Sequence, residues 1–325
     1  MADEFEYDED RIERLLAEAS LIFRRRFLQT VRQIQASFDL SEIEELIAQR
    51  RLDEALIQVE LAATNLSTAY ITAYVMAGSD VFEFISDSIG IQVNFDQVNA
   101  RAVAQMQAES LRLIREFTDG QRASTRVALV EGIIQGLNPR DQARLFRQSI
   151  GLTANQMRAV ANFRRLLESN SAAALTRELR DRRFDSSVRR AISGEKPLTA
   201  EQIDRMVERY YQRSLAARAE TIARTESLAA VHQASDEGFR QAIENGLIDD
   251  ELTQKWRTAG DGRVRDPSHT LMNGQTRPFG EPFRSGTGNL LRYPGDNRAP
   301  AHDTVRCRCV KTTRFTADVL VPAEA

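Results

Sequence analysis

The sequence predicts a predominantly α-helical protein with an α+β domain at its C-terminal end. Through about the first two-thirds of the chain, apolar residues recur every three or four positions, as in Ile12, Leu15, Leu16 and Ala19, and this is the period of an amphipathic helix. After Gly246, Gly, Pro, Asn and Asp become frequent and strand-like segments are short. These patterns favour a helical-bundle body followed by a small, loop-rich sheet that packs on a helix.

The helical body is divided by glycines and by capping residues. An amphipathic helix is predicted over residues 10–38, and Ser41 with Glu44 has the spacing of a capping box at the start of the next helix. Asp80 and Glu83 predict the start of a further short helix. The predicted helix ends lie at or beside glycines: Gly78, Gly90, Asp119-Gly120, Gly136 and Gly151.

Capping patterns predict more helix starts: Asn138 before Pro139, Thr153 with Gln156, and Thr199 with Gln202. The last of these begins a long helix that we expect to run to about Ala230 and to connect the body with the C-terminal domain. The short helices joined by Gly-x-Thr turns are typical of an orthogonal bundle, with a nucleic-acid-binding helix-hairpin-helix unit as the alternative. We divide the chain into an N-terminal helical region (1–120), a small helical bundle (121–195), and the connecting helix with the α+β domain (196–325).

The basic residues are almost all arginines. The formal net charge is −3, with an acidic N-terminal stretch and arginine-rich segments in the middle and near the C-terminal end. A guanidinium group matches phosphate oxygens, so phosphate contact is one function of such segments. For the arginines in the middle of the chain, solvated helix faces are the favoured interpretation. In the C-terminal domain the predicted contacts to DNA phosphates are Arg257, Arg284 and Arg292.

Residues 61–79 carry no charged side chain and approach the length of a membrane span. Threonines, a serine and an asparagine make this segment only moderately apolar. Alanines also recur along it, at Ala62, Ala63, Ala69, Ala73 and Ala77. We therefore predict a helix buried against another helix, with no permanent membrane insertion. The acidic N-terminus lacks the basic region and apolar core of a signal peptide.

Residues with special chemical uses are concentrated after residue 220. In chain order they are Arg224-Thr225-Glu226, Trp256, Asp261, Arg263, Arg265, His269, Asn273-Gly274, Tyr293-Pro294-Gly295-Asp296 and Cys307-Arg308-Cys309. In this order and at these distances the set resembles the phage Mu F-like head morphogenesis family, the minor head proteins of tailed bacteriophages. The resemblance covers residues 216–315.

The resemblance implies a virion component that acts in capsid assembly through binding and not through catalysis. Its implied partners are the portal protein, other capsid components and DNA phosphates. Its implied location is the capsid interior or portal vertex of the virion, and the host cytoplasm during assembly. One alternative is an internal protein that is ejected with DNA and contacts the host membrane through residues 61–79. Another is a toxin-like or hydrolytic effector that uses Asp261, His269 and Cys307.

The two cysteines are the strongest candidates for chemistry. If residues 304–310 form a strand, side chains alternate, and Cys307 and Cys309 face the same way. Two thiolates with a histidine are compatible with a structural zinc site, because zinc prefers four sulfur or nitrogen ligands, and His269 and His302 are the available imidazoles. The alternative is a pair of reduced cysteines buried as small apolar groups.

Other polar residues of the segment have structural interpretations. Glu226 is expected to pair with Arg263 or Arg265 and so to lock the helix to the sheet. Asp261 is expected to accept backbone N–H bonds in its turn. His232 is interpreted as a surface or core residue, and Asp266 or Asp303 as a substitute for a histidine ligand at the zinc.

Overall fold

The computed structural model describes residues 3–49 and 51–317. Within them the chain is mainly helical, with an antiparallel sheet built largely from C-terminal residues, and this confirms the predicted fold class. The α-helices are α1 (Glu9–Ser37), α2 (Leu40–Ala48), α3 (Leu52–Ile89), α4 (Ala100–Ile134), α5 (Pro139–Ser149), α6 (Ala154–Glu168), α7 (Asp185–Ile192), α8 (Ala200–Glu244) and α9 (Ala301–Thr304). The strands are β1 (Asp3–Tyr7), β2 (Thr253–Arg257), β3 (Thr276–Pro278), β4 (Phe283–Arg284), β5 (Leu290–Leu291) and β6 (Val310–Ala317).

The main sheet has the strand order β1-β6-β2-β3, and β4 pairs with β5 separately. All of these pairings are antiparallel, with Trp256 opposite Lys311 in the pair β2–β6. The strand β1 is absent from the sequence-based expectations. Its acidic residues lie along β6, where Nε of Arg314 donates a 2.9 Å hydrogen bond to Glu6.

The described residues form two compact units, each discontinuous along the chain. Among the described residues, unit 1 draws on 3–26, Leu66–Leu111 and 220–317, and unit 2 draws on Phe27–Asn65 and Arg112–Ala219. The domain boundaries predicted at residues 120 and 195 divide the chain into continuous segments. These boundaries stay a prediction.

The core of unit 1 contains aromatic rings from strands and helices together. Tyr7 of β1 contacts Phe84 of α3 and Phe239 of α8, with ring centroids 5.5 and 5.7 Å apart. Phe239 also contacts Phe315 of β6 at 5.9 Å. An ion pair between the buried Lys311 and the partly buried Asp236 links β6 to α8 as well. The sheet of unit 1 therefore packs on a helix, as the sequence predicts.

Gly78 lies inside α3 and does not end it, so the predicted break there and the predicted new start at Asp80 are wrong. The reason is tertiary packing, because a Cβ atom at Gly78 would lie 2.6 Å from the ring of Phe95. A Cβ atom at Gly238 of α8 would lie 3.0 Å from Val81. These glycines permit close approach of neighbouring segments, and that contact outweighs the low helix propensity of glycine.

The uncharged segment 61–79 is part of α3. Ala69, Ala73 and Ala77 are fully buried, which agrees with the predicted burial of its small-residue face. Among the residues that the structure describes, no helix combines the length and the apolar character that a membrane crossing requires.

Several helix boundaries in unit 2 follow the capping predictions. Asn138 caps α5 with Pro139 at the start, and Thr153 with Gln156 forms a complete capping box for α6. Between them, Gly151 has φ +82°, and a Cβ atom there would lie 2.6 Å from Val31. This turn therefore needs glycine both for its backbone conformation and for space.

Other predicted boundaries are wrong because helices continue through them. The helix α4 passes Asp119-Gly120, where the following residues Gln121 and Ser124 are buried, and α8 passes Ala230 without interruption to Glu244. At α2 the cap is Asp39, whose carboxylate accepts the N–H of Ser41, instead of the predicted capping box. In α4 and α8 the helix continues because one of its faces stays buried beyond the predicted end.

Candidate functional site

Three of the four predicted metal ligands lie together in unit 1. Nδ1 of His269 is 3.6 Å from Sγ of Cys307 and 3.4 Å from Sγ of Cys309. The three donor atoms all lie within 4.8 Å of one another, and each side chain belongs to a residue that is at most 3% exposed. The arrangement offers two sulfurs and one imidazole nitrogen to a common point.

The segment that carries the cysteines is a turn and not the predicted strand over 304–310. The helical turn α9 ends at Thr304, Arg306 has φ +59°, and β6 begins only at Val310. A residue in this left-handed conformation interrupts the extended backbone that strand pairing needs. The backbone N–H of Cys309 points back at Sγ of Cys307, 3.4 Å away, so the two cysteines still share one side.

Side chains of the Ala-Arg-Thr-Glu segment of α8 bind the main chain of this turn. Nε of Arg224 donates to the carbonyl oxygen of Cys307 at 3.0 Å, and Oγ1 of Thr225 accepts the N–H of Arg306 at 3.1 Å. Both contacts bind backbone atoms at or next to the first cysteine. Two family-pattern residues therefore position a third part of the pattern.

The Asp-x-Arg-x-Arg turn is tied to the residue between the cysteines. Both carboxylate oxygens of Asp261 bind the guanidinium of Arg308, and Asp261 also accepts the N–H of Arg263 at 3.0 Å. The bond from Arg308 is the main reason that the pKa of Asp261 lies well below its ordinary value. This ion pair joins the loop after β2 to the cysteine turn.

The two arginines of that turn have partners other than the predicted Glu226. Arg263 contacts the carboxylate of Asp261, and Arg265 donates to the carbonyl oxygens of Asp303 and Val305. Arg265 thus binds the end of α9, just before the cysteines. Arg224 and Thr225 connect α8 to the segment before β6, and the pairing of Glu226 stays a prediction.

The far side of the His269 ring faces a buried carboxylate. Nε2 of His269 lies 3.8 Å from Oδ1 of Asp303, which is fully buried. Ser268 donates to Oδ1 of Asp303, and Asn289 donates to Oδ2 at 2.8 Å. Burial raises the pKa of Asp303, but these hydrogen bonds and the nearby histidines outweigh it, so that the pKa is below its usual value.

Apolar groups enclose the three donor residues. The ring centroid of Trp256 lies 5.8 Å from that of His269 and 5.3 Å from that of Phe283. The cysteines belong to a buried cluster with Leu228, Trp256, Met272, Phe283 and Leu291. The site is therefore shielded from bulk solvent. In such a buried site, electrostatic interactions are stronger than at a surface.

The two thiols differ in acidity because they face each other. The contact with Cys309 and the hydrogen bond with His269 hold the pKa of Cys307 below its ordinary value. The contact with Cys307 and burial raise the pKa of Cys309. One sulfur thus takes the negative charge more easily and opposes ionisation of the other.

The fourth predicted ligand, His302, lies apart from the cysteines. Its side chain is 63% exposed, and Nε2 lies 3.6 Å from Oδ2 of Asp303. His232 is a core residue whose ring stacks on Tyr293, and burial lowers its pKa well below the usual value. The alternative hydrolytic set combines Asp261 with His269 and Cys307. In the structure the carboxylate beside His269 is Asp303, and Asp261 binds Arg308.

The predicted DNA-contacting arginines occupy different environments. Arg292 is half-buried and binds Asp296 through two nitrogens, at 2.9 and 2.7 Å. Arg257 is partly buried, and its Nε lacks a hydrogen-bond partner among the described residues. Arg284 is exposed at the surface of β4. Arg284 is therefore the member of the set with the most accessible side chain.

The sequence pattern does not predict the roles of Arg308, Asn289 and Ser268. For Arg308 the sequence gives a weak indication, because this basic residue lies between two cysteines and a turn with an acidic residue, Asp261, precedes them. Asn289 and Ser268 give no sequence signal, since each contacts Asp303 only after the intervening loops have folded.

Residues 182–312 match the family model described as Phage Mu protein F like protein. No curated protein and no solved structure matches the chain significantly. The matched range begins before the predicted start at residue 216 and includes Arg224, Thr225, His269 and both cysteines. The family whose model matches residues 182–312 is therefore the one that the motif residues resemble.

Proposed function

We propose that this protein is a minor head protein of a bacteriophage that associates with the portal vertex and contacts packaged DNA. The match of residues 182–312 to the Mu F-like family is the observation that carries the proposal, and it supports a role in phage head morphogenesis. The partners of such a protein are other capsid components. Portal and DNA contacts are the finer part of the proposal.

The interlocked motif residues support a binding role for this region. Arg224, Asp261 and Arg265 all use their charged groups for contacts within unit 1. Residues used in this way stabilise a surface and do not offer free catalytic groups. The protein is thus proposed to act as an assembly component that presents a fixed surface.

The proposed DNA contact is centred on Arg284. Its side chain is exposed, whereas the charge of Arg292 is compensated by Asp296. An exposed guanidinium can replace counterions at a phosphate, which makes binding sensitive to salt. We expect a smaller contribution from Arg257, which is partly buried.

The DNA part is tested by measuring the affinity of the purified full-length chain for double-stranded DNA over a series of salt concentrations. Affinity is expected to fall as salt rises, and Arg284→Ala should reduce the slope by about 0.9 for each lost phosphate contact. Arg144→Ala is the matched control, because Arg144 is exposed in α5 and pairs with Asp141. Absent or salt-insensitive binding contradicts the DNA contact.

The portal part is tested by co-purification of the chain with the portal protein of the same phage. A complex that survives gel filtration supports it. Recovery of the chain in heads without any contact to the portal would leave head morphogenesis in place and reject the vertex assignment.

A further inference from the structure

We propose that His269, Cys307 and Cys309 bind one zinc-class divalent ion, and that Asp303 orients His269 for this purpose. The proposal does not depend on the portal or DNA assignments. It concerns an ion with three protein ligands that joins the loop after β2 to the turn before β6. His302, the fourth ligand that the sequence predicts, lies apart from the sulfurs, and the group beside His269 is the carboxylate of Asp303.

The spacing of the donor atoms fits a tetrahedral ion. Zinc lies about 2.3 Å from a thiolate sulfur and about 2.0–2.1 Å from an imidazole nitrogen, so at the tetrahedral angle sulfur and nitrogen are about 3.6 Å apart. The observed distances from Nδ1 of His269 are 3.6 Å to Cys307 and 3.4 Å to Cys309. An ion can therefore enter between these atoms with little movement of the side chains.

The histidine ring is oriented as a metal ligand requires. Nδ1 faces the two sulfurs, and Nε2 faces Oδ1 of Asp303 at 3.8 Å. Among the described residues, Nε2 has no hydrogen-bond partner although it is buried. A ligating histidine usually directs its second N–H at a carboxylate, which fixes the tautomer and strengthens the ligand. Ser268 and Asn289 hold that carboxylate in turn.

The charges at the site also favour a cation. The two cysteines lie in a buried apolar cluster, and the carboxylate of Asp303 is buried beside His269. Burial of uncompensated negative charge is strongly unfavourable. A divalent ion bound between the two sulfurs compensates the negative charge of both thiolates at once. The N–H of Cys309 supports the negative charge on Cys307 at 3.4 Å.

The ion would stabilise a region with little regular structure. Between β2 and β6 the strands are two or three residues long, and α9 has four residues. Small loop-rich units commonly depend on a metal for part of their folding free energy. Within the described residues the group contains three protein donors, so a water molecule is assigned to the fourth position.

The first test is the metal content of the full-length chain, purified under reducing conditions without chelators or metal-affinity resin. Mass spectrometry should find about one zinc ion per chain, because the three donors describe one tetrahedral site. Cys309→Ser and His269→Ala should lose it. His302→Ala is the matched control and should retain it, since His302 is exposed beside the same carboxylate.

The second test begins with the wild-type chain, so its main result does not depend on the folding of a variant. The wild-type chain, refolded with cobalt(II), should show sulfur-to-cobalt charge transfer and the intense visible bands of tetrahedral cobalt. Asp303→Asn should keep those bands while weakening the affinity for zinc by about 10- to 100-fold. Wild-type protein that takes up neither ion under reducing conditions would overturn the proposal, as would retention of zinc in Cys309→Ser.

Discussion

Nε of Arg224 donates a 3.0 Å hydrogen bond to the carbonyl oxygen of Cys307, from a position 83 residues earlier in the chain. This contact explains why an arginine in the α8 motif accompanies a cysteine turn near β6. The helix does not contribute to the ligand group. It fixes the backbone on which the first cysteine is carried.

Replacement of Arg224 should therefore destabilise unit 1. Arg224→Ala removes a charged donor from a buried carbonyl, and hydrogen bonds of this kind contribute about 1.5–3 kcal/mol. Urea denaturation should show this decrease in the free energy of unfolding. Arg205→Ala, on the exposed face of the same helix, should change it by less than about 0.5 kcal/mol. Equal effects of the two variants would refute the positioning role.

The ion pair between Asp261 and Arg308 should be visible in the titration of the carboxylate. Arg308 holds the pKa of Asp261 well below its ordinary value, which is about 3.9 for aspartate. Carbon-13 NMR of the side-chain carboxyl should give a midpoint below that value in the wild type. Arg308→Ala should raise the midpoint towards it. An unchanged midpoint would mean that the ion pair is not formed in solution.

The same ion pair predicts the direction of a pH effect on stability. Because the pKa of Asp261 is lower in the folded chain than in the unfolded chain, its contribution is fully present above the unfolded pKa. The contribution is lost as pH falls towards the folded pKa. The difference in melting temperature between wild type and Asp261→Asn should therefore shrink below about pH 4. A difference that grows on acidification would contradict this sign.

Gly151 should be far less replaceable than Gly194. Both have positive φ, at +82° and +78°, but only Gly151 is enclosed, because a Cβ atom added there would lie within 3.0 Å of Val31 and Leu215. Gly194→Ala should cost about 1–2 kcal/mol from backbone conformation alone. Gly151→Ala should cost a further 1–3 kcal/mol or so, because of overpacking. Thermal unfolding of the two variants measures the difference in stability. Equal losses of stability would show that the contacts with Val31 and Leu215 do not add to the cost.

Gly78 and Gly120 provide a matched pair inside helices. Alanine favours a helix by about 1 kcal/mol over glycine, and a Cβ atom added at Gly120 would have its nearest neighbour 3.4 Å away. Gly120→Ala should be neutral or stabilising. Gly78→Ala should destabilise, because its Cβ would lie 2.6 Å from the ring of Phe95. Stabilisation by both substitutions, measured by urea denaturation, would show that the Phe95 contact does not constrain α3.

Local signals in the sequence predict local structure well. The caps at Asn138 and Thr153 depend on residues three positions apart, and both form as predicted. The expected breaks at Gly78 and Gly120 do not occur, because tertiary contacts favour uninterrupted helices. Local signals do not predict the strand β1, because its partner strand β6 is distant in the chain.

The candidate site shows the same division between local and distant information. The grouping of Cys307 and Cys309 with His269 follows from residue type, since few other side chains suit a soft metal ion. The role of Asp303 depends on where α9 places it, and no spacing rule distinguishes it from His302. Sequence therefore indicates the donor types, while the fold decides which carboxylate supports them.

The most direct test of the proposed function is a cryo-electron microscopy reconstruction of the portal vertex in heads that contain this chain. Density for residues 182–312 against the portal, with the α8 contact to the cysteine turn resolved, is the predicted result. Purified heads that lack the chain at every stage of assembly would contradict a role as a minor head protein.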